Sequence, residues 1–384
     1  MRDTKWRYIE EDNVSASYGL GTDEFLMNMQ SLSENEYPVA LRLYTYKNYC
    51  ALAGRFQDIN AEIDIENCER VGYQFNRRLT GGGAIIMGSG QLGICLTTHG
   101  NHVQWEHIRE LYTLFSEPII AALREQGIDA SFRSKNDLEV NGKKIAGLGV
   151  HVSPEGGIQF HASLLVDLDV EAMLQVLNIP AQKYSDKVMV RSVEQRITTV
   201  TKESKKESNV NTIRANVLQA YSKHFNADMV KQNISTYEME EIEIVEQKRY
   251  QNPEWIYQYS PQSDMTGMGL KKTSAGLLRA YIGLKGETIK SVLITGDFFE
   301  QEDVLGKIEL DLKWGPLDKE KIRKVVERYL SNETSGNDSI NLLAKDVVEV
   351  IWLASQRAIA ANRYTYKGSC YYPKEENIVE KVKI

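Results

Sequence analysis

From Pro38 to Phe56 apolar residues run together or alternate with polar ones, and the same pattern returns from Ala84 to Thr97. Such runs predict strands over 38–56 and 84–97. In QWEHIRELYTLFSEPIIAALREQG the period changes: Ile108, Leu111, Leu114, Ile119 and Leu123 fall on one helical face. A helix is therefore predicted over 104–126, closed by Gly127. Residues 158–168 read as another strand, VEAMLQVLN as a short helix ending before Pro180, and NTIRANVLQAYSKHF as a further helix. KESKKESN, from 202 to 209, reads as a solvated loop. Strands and helices mix without a regular βαβ rhythm, which predicts an α+β fold with mixed sheets flanked by helices.

A second unit begins near residue 245. GLLRAYIGLKGETIKSVLITGDFFE alternates apolar and polar residues around Lys285-Gly286, so it reads as a β-hairpin. LDKEKIRKVVERYLS follows as an amphipathic helix, and SINLLAKDVVEVIWLASQRAIAANRY as a longer one. The expected division is 1–244 for a large domain, 245–345 for a small α/β accessory domain, and 346–384 for a helical extension and tail.

Composition narrows the function. The 384 residues suffice for two domains with sizeable cores. A net charge of −7 argues against a surface that tracks nucleic acid. No run of about 18 apolar residues marks a membrane span, and MRDTKWRYIEED lacks the apolar core of a secretory signal. The four cysteines (Cys50, Cys68, Cys95, Cys370) show no C-x-x-C spacing, and the six histidines show no H-E-x-x-H. Free thiols in a cytoplasmic protein without a zinc site are expected.

Two stretches carry candidate chemistry. RRLTGGGAIIMGSGQLGICL sets two arginines and three consecutive glycines before an apolar run. Glycines let main-chain N–H groups approach a ligand closely, and Arg77 and Arg78 offer planar donors for phosphate or carboxylate. The same residues also suit a plain hairpin loop with solvated arginines. KNDLEVNGKKIAGLGVHV reads as a hairpin turning at Asn141-Gly142. Lys144 lies on its return strand among small residues, where its ammonium can point at an anion or snorkel to water. Asn136 and Asp137 precede the hairpin as turn caps or as polar contacts for a nucleotide.

Together with TDEFLM, LRLYTYKNYCALAGRFQD and FHASLLVDLD, these segments resemble the lipoate-protein ligase family and its relatives, the octanoyltransferases and biotin-protein ligases. The resemblance spans most of residues 15–240, and GDFFE followed by helices resembles the family's C-terminal accessory domain. It implies a two-step reaction. Lipoate is activated by ATP to lipoyl-AMP, and the lipoyl group then passes to a lysine of an apo lipoyl domain. Such acceptors are 2-oxoacid dehydrogenase acyltransferase subunits or the glycine cleavage H protein. It further implies Lys144 as the essential lysine. Arg77, Thr80, Gly81, Gly82, Gly83, Gly147 and His161 would lie around lipoate. Arg78, Ala84, Ile85, Asn136 and Asp137 would lie around the nucleotide, with Asp137 linked to Mg²⁺. No nucleic acid or membrane partner is implied.

Two departures bear on the chemistry. Many ligases follow the glycine loop with His-Asp, where this chain has Met87 and Gly88. MGSGQLG leans toward the octanoyltransferases, which use a cysteine nucleophile. That cysteine is absent both before Phe160 and in DASFRSKND. Ligase therefore ranks above acyltransferase. A non-catalytic lipoyl-binding relative ranks lower, because such a protein is expected to lose Lys144.

Overall fold

A computed structural model describes residues 4–32, 36–133, 136–178, 193–298, 302–331 and 342–363. In chain order the strands are β1 (Lys5–Val14), β2 (Val39–Tyr46), β3 (Cys50–Ala53), β4 (Gln74–Arg77) and β5 (Ile85–Met87). They continue with β6 (Gln91–His99), β7 (Ser131–Arg133), β8 (Asp137–Val140), β9 (Lys143–Val152) and β10 (Gly157–Leu165). The last four are β11 (Asp228–Lys231), β12 (Gly267–Lys272), β13 (Leu277–Lys285) and β14 (Thr288–Gly296).

Eight of them form one mixed sheet in the order β11-β1-β2-β6-β10-β9-β8-β7. β1 is parallel to β2 and β11, and the other neighbours are antiparallel. Alternation along β2 sends Leu41 and Leu43 into a core with Leu111, Phe115 and Ile119 of helix Ile108–Glu125 and Ile213 and Val217 of helix Val210–Phe225. Its other face, Tyr44 and Tyr46, packs with Leu20 of helix Ala16–Met29. Both faces being covered explains why β2 reads as a near-continuous apolar run.

The expected strands over 38–56 and 84–97 are each two strands in different sheets. Exposed Lys47 and Asn48 end β2 before β3 starts, and Gly88–Gly90 separate β5 from β6. β4, β3 and β5 make a small sheet of their own, with β3 central. The expected helix over 104–126 runs Ile108–Glu125, and Gly127 follows its cap at φ +77°.

A third sheet, β12-β13-β14, is antiparallel and carries its own core. Leu278, Ala280, Ile282 and Ile294 meet Ile308, Val326, Val350 and Ile351 from helices Glu302–Leu312, Lys319–Tyr329 and Ala344–Arg363. Packing here bears on two of the expected boundaries, for which we propose other positions. Helix Ala344–Arg363 packs on β12, where a Cβ at Gly269 would lie 2.1 Å from Val350 O, so it is part of the small body rather than an extension. At the other end Tyr250 and Trp255 pack among Leu52, Leu79 and Met87 of the large body. We propose that the division falls within 258–266, beyond that packing, rather than at 245.

The seam between the bodies is polar. Arg279 pairs with Glu62, Tyr281 donates to Asp58 Oδ2 at 2.8 Å, and Gln57 Nε2 donates to Asp297 Oδ1 at 2.7 Å. Phe56 stacks on Phe298 at 5.3 Å beside them. On the large body, Phe56, Gln57, Asp58 and Glu62 of this seam all come from the stretch that follows Gly54-Arg55.

Candidate active site

The Asn141-Gly142 turn has φ +51° and +78°, the two positive values of a type I′ hairpin turn. It fixes β8 against β9, but the register slips: Leu138 faces Ala146 while Glu139 faces Lys144, so Ile145 is extra. A bulge of one residue re-aims the side chains beyond it. Lys144 thereby shares a face with Gly147, where a Cβ would lie 2.9 Å from Lys144 Nζ. Nζ also sits 2.8 Å from Asp137 Oδ1. Its main chain is gripped on both sides, by Arg196 O at 2.8 Å and Thr198 N at 2.8 Å.

The glycine loop faces this hairpin. Thr80 Oγ1 lies 3.3 Å from Nδ1 of His161 on β10. Gly149 of β9 leaves room for both, since a Cβ there would meet His161 Cε1 at 2.5 Å and Thr80 Oγ1 at 2.9 Å. Burial holds the His161 imidazole down to about 3, aided by the charges of Arg78 and Lys144. It is therefore neutral at pH 7. Gly82 takes φ +92°, a conformation open to glycine. Its carbonyl presses on Gly54, where a Cβ would lie 1.9 Å away.

The two arginines part company. Arg78 is buried, donates from Nη2 to Gly83 O at 2.9 Å, and lines the cavity described next. Burial lowers it to about 10, so it stays charged. Arg77, expected beside the substrate, does not line that cavity. It is fully buried, and its guanidinium donates to five carbonyls, those of Gly54, Arg55, Gln57, Trp255 and Ile256. It braces the loop from behind.

Gly82, Gly83, Ala84, Ile85, Asn136, Asp137, Lys144, Gly147 and His161, drawn from both motifs, share one cavity of about 500 Å³. Thr80 and Gly81 do not line it; Thr80 backs it through His161, and Gly81 faces the other way. Asn136 Nδ2 donates to Leu148 O at 3.0 Å, fixing the entry to β8. Asp137, for which the resemblance implied a link to Mg²⁺, pairs with Lys144. The reading of the motifs missed Ser163, Arg196, Lys272 and Asp297, which also line the cavity. Arg196 and Lys272 come from outside every motif, and Asp297, although within GDFFE, carried no local sign that it would reach this cavity. Ser163 lay within FHASLL, two residues beyond His161, and the alternation of a strand marked its face.

Arg78, His161 and Ser163 also line a second, smaller slot of mixed character with Leu20, Asp23, Tyr44, Met87 and Gln159. At about 20 Å³ it holds little more than one water. The slot as it stands is too small for an acyl chain. The cavity's cations, Arg78, Lys144 and Arg196, suit an anionic group such as a carboxylate or phosphate. Cys50, Cys68 and Cys95 are fully buried and line neither space. Burial pushes their thiols up, Cys68 to about 11. Cys370 lies outside the described residues.

Comparison with known proteins identifies the family and the fold. Residues 15–222 match the family model of the lipoyl protein ligase A/B catalytic domain. The lipoate-protein ligase LplJ of Bacillus subtilis is 27% identical over 258 residues, covering 66% of this chain and 74% of that protein. The octanoyltransferase LipM of the same organism is 24% identical over 281 residues, 67% of this chain and 99% of that protein. Among solved structures, a bipartite lipoate protein ligase from Thermoplasma acidophilum superposes with TM-score 0.59 at 23% identity, covering 68% of this chain and 99% of that one. P. falciparum LipL1 in complex with lipoate superposes with TM-score 0.67 at 15% identity, covering 91% of this chain and 99% of that one. At these identities the structural likeness shows the fold. Among the described residues no helix is long and apolar enough to cross a membrane.

Proposed function

The chain belongs to the lipoyl protein ligase A/B catalytic domain family, and on that premise we propose that it is an ATP-dependent lipoate-protein ligase. The observation that carries the reading is the placement of Lys144, Arg78 and Arg196 around one cavity. In the first step the lipoate carboxylate attacks the α-phosphorus of ATP. A C–O–P bond forms, and the bond to pyrophosphate breaks with its electrons leaving on oxygen. Negative charge grows on phosphate oxygens, and fixed cations stabilise it without reorganising. Lys144 would hold the carboxylate against the α-phosphate, released toward them from Asp137. The main chain of Gly83 and Ala84 would meet the nucleotide, and Asn136 would bound it. Neutral His161 would orient the headgroup through Thr80 without adding charge.

Magnesium fits this donor set as an ion carried in on the phosphates, which needs only one or two protein oxygens. It would offset charge on the leaving pyrophosphate. Asp137 would serve it only after exchange with Lys144.

In the second step the ε-amine of an acceptor lysine attacks the acyl carbonyl, an amide forms and AMP leaves. The acceptor would be an apo lipoyl domain, the kind of partner named with the archaeal bipartite ligase. A thiol is not needed, because the adenylate is the activated acyl group, and the buried thiols fit that economy. The similarity to LipM favours a second reading, transfer of octanoyl between carriers. Incubation with ATP, lipoate and an apo lipoyl domain separates the two. Pyrophosphate release with a lipoyl mass gain on the acceptor supports the ligase. Acyl transfer from an octanoyl carrier without ATP supports the transferase.

A further inference from the structure

Gly82 takes φ +92° and carries no Cβ to restrict it, so neighbouring contacts must fix its dihedrals. Arg77 supplies one brace, through the carbonyls behind the loop. A second comes from the small body, where the end of β14 meets the stretch that follows Gly54. Gly296 N donates to Phe56 O at 2.9 Å, Gln57 Nε2 donates to Asp297 Oδ1 at 2.7 Å, and Phe298 stacks on Phe56. Two neighbouring residues of one body thus meet three neighbouring residues of the other.

Gln57 passes the contact on. Its Oε1 accepts from Gly54 N at 2.8 Å while Nε2 reaches Asp297. A main-chain N–H only donates and a carboxylate only accepts, so the amide has one orientation here and is fixed at both ends. Gly54 in turn bears on Gly82 O, which a Cβ at Gly54 would approach to 1.9 Å. The small body also touches the loop directly. Gly82 N donates to Phe298 O at 3.4 Å, and a Cβ at Gly83 would lie 3.9 Å from Asp297 Cγ. Gly82, Gly83 and Asp297 line the same cavity as Lys144. The other seam pairs, Arg279 with Glu62 and Tyr281 with Asp58, join side chains that do not line it.

We propose that Asp297 is a positioning residue of this site: through Gln57 and Gly54 it holds the Gly82–Gly83 turn in the shape that receives substrate. The small body then builds the site by bracing it, whether or not its own side chains touch substrate. The inference rests on the acyl-transfer reading above but not on the source of the acyl group, since ligase and transferase alike would use the same loop.

The test inverts the pair. Gln57→Glu sets a second carboxylate against Asp297. Adding Asp297→Asn restores a carboxylate–amide pair with its polarity reversed, and the new carboxylate at 57 can still accept from Gly54 N. Both variants are read by lipoate-dependent ATP–pyrophosphate exchange, beside Tyr281→Phe, which loses a seam hydrogen bond away from the loop. We expect Gln57→Glu to raise lipoate KM about tenfold, as loss of one charge-assisted hydrogen bond implies. The double variant should return close to the parental KM, and Tyr281→Phe should keep it. Parental KM in Gln57→Glu, no recovery in the double variant, or an equal rise in Tyr281→Phe overturns the inference. If Gln57→Glu does not fold, Asp297→Ala replaces it: the same rise in KM supports the inference, and a parental KM overturns it. Should the parent show no exchange yet move octanoyl from a carrier, the ligase reading falls, and KM for that carrier, compared across the same variants, decides the role of Asp297.

Discussion

Lys144 Nζ lies 2.8 Å from Asp137 Oδ1, although the strand ladder places Lys144 opposite Glu139 and Asp137 opposite Gly147. The extra residue Ile145 produces this diagonal. Without the bulge, alternation would turn Lys144 away from Gly147 and out of the cavity. The pair is about a third exposed on each side, so its value lies in aim more than in stability.

Lys144→Ala should abolish acyl-adenylate formation while leaving the fold intact. Loss of one positioned cation should raise the barrier by roughly 2.7–4 kcal/mol, by analogy with loss of an oxyanion donor. Lipoate-dependent ATP–pyrophosphate exchange at the parental rate, with unchanged circular dichroism, would show that Lys144 is a bystander.

Arg77→Ala should unfold more readily rather than bind substrate less tightly. Five carbonyls lose their donor, and an orphaned buried polar group costs roughly 1–3 kcal/mol. A urea titration should find the midpoint well below the parent's. A raised lipoate or ATP KM with an unchanged midpoint would return Arg77 to the substrate.

The glycine loop has two different sensitivities. Gly54→Ala should disturb it from below, because its Cβ would run into Gly82 O; overpacking of this kind costs typically about 1–3 kcal/mol. Gly82→Val should act from within, by opposing φ +92°. Both should raise lipoate KM, and steady-state kinetics matching the parent in well-folded variants would mark the loop as a spectator turn.

His161 gives the fold an acid-sensitive element. Its folded value, near 3, lies below the 6.5 or so of an unfolded histidine. The unfolded chain therefore binds the extra proton first. The stabilising contribution is complete above about pH 6.5 and declines as pH falls toward 3. His161→Gln, which retains a hydrogen-bonding group beside Thr80, should lose less stability than the parent between pH 7 and pH 5. Parallel urea midpoints for the two proteins across that interval would refute the assignment.

Replacement of all four cysteines by Ala or Ser should leave ATP-dependent lipoyl transfer in place, with some loss of stability at Cys50, Cys68 and Cys95, which are fully buried. Selective loss of transfer in Cys370→Ser, with an acyl-enzyme trapped on the parent, would favour the octanoyltransferase reading instead.

Local chemistry made much of the site readable beforehand. Asn141-Gly142 announced the hairpin, and the company of small residues around Lys144 announced a cation beside open space. What the sequence hid were contacts between distant segments. Arg77 and Arg78 are adjacent and alike in composition, yet alternation on β4 and the turn after it sends one to five carbonyls and the other to the cavity. No spacing rule separates them. Arg196 enters only because its backbone pairs with Lys144, and Asp297 only because a second body docks on Gln57. The sheet breaks at Lys47-Asn48 and Gly88–Gly90 were visible as polar or glycine interruptions, but which sheet each half would join depended on partners far along the chain.

The five carbonyls around Arg77 come from two places, residues 54–57 and residues 255–256. A chain ended at residue 244 would keep every motif from TDEFLM to FHASLLVDLD and still lack two of the anchors that hold the glycine loop taut. Such a truncation would look complete to anyone reading motifs and would behave as a slackened instrument, its strings present but untuned. The minimal working unit of this protein is therefore longer than its minimal recognisable one.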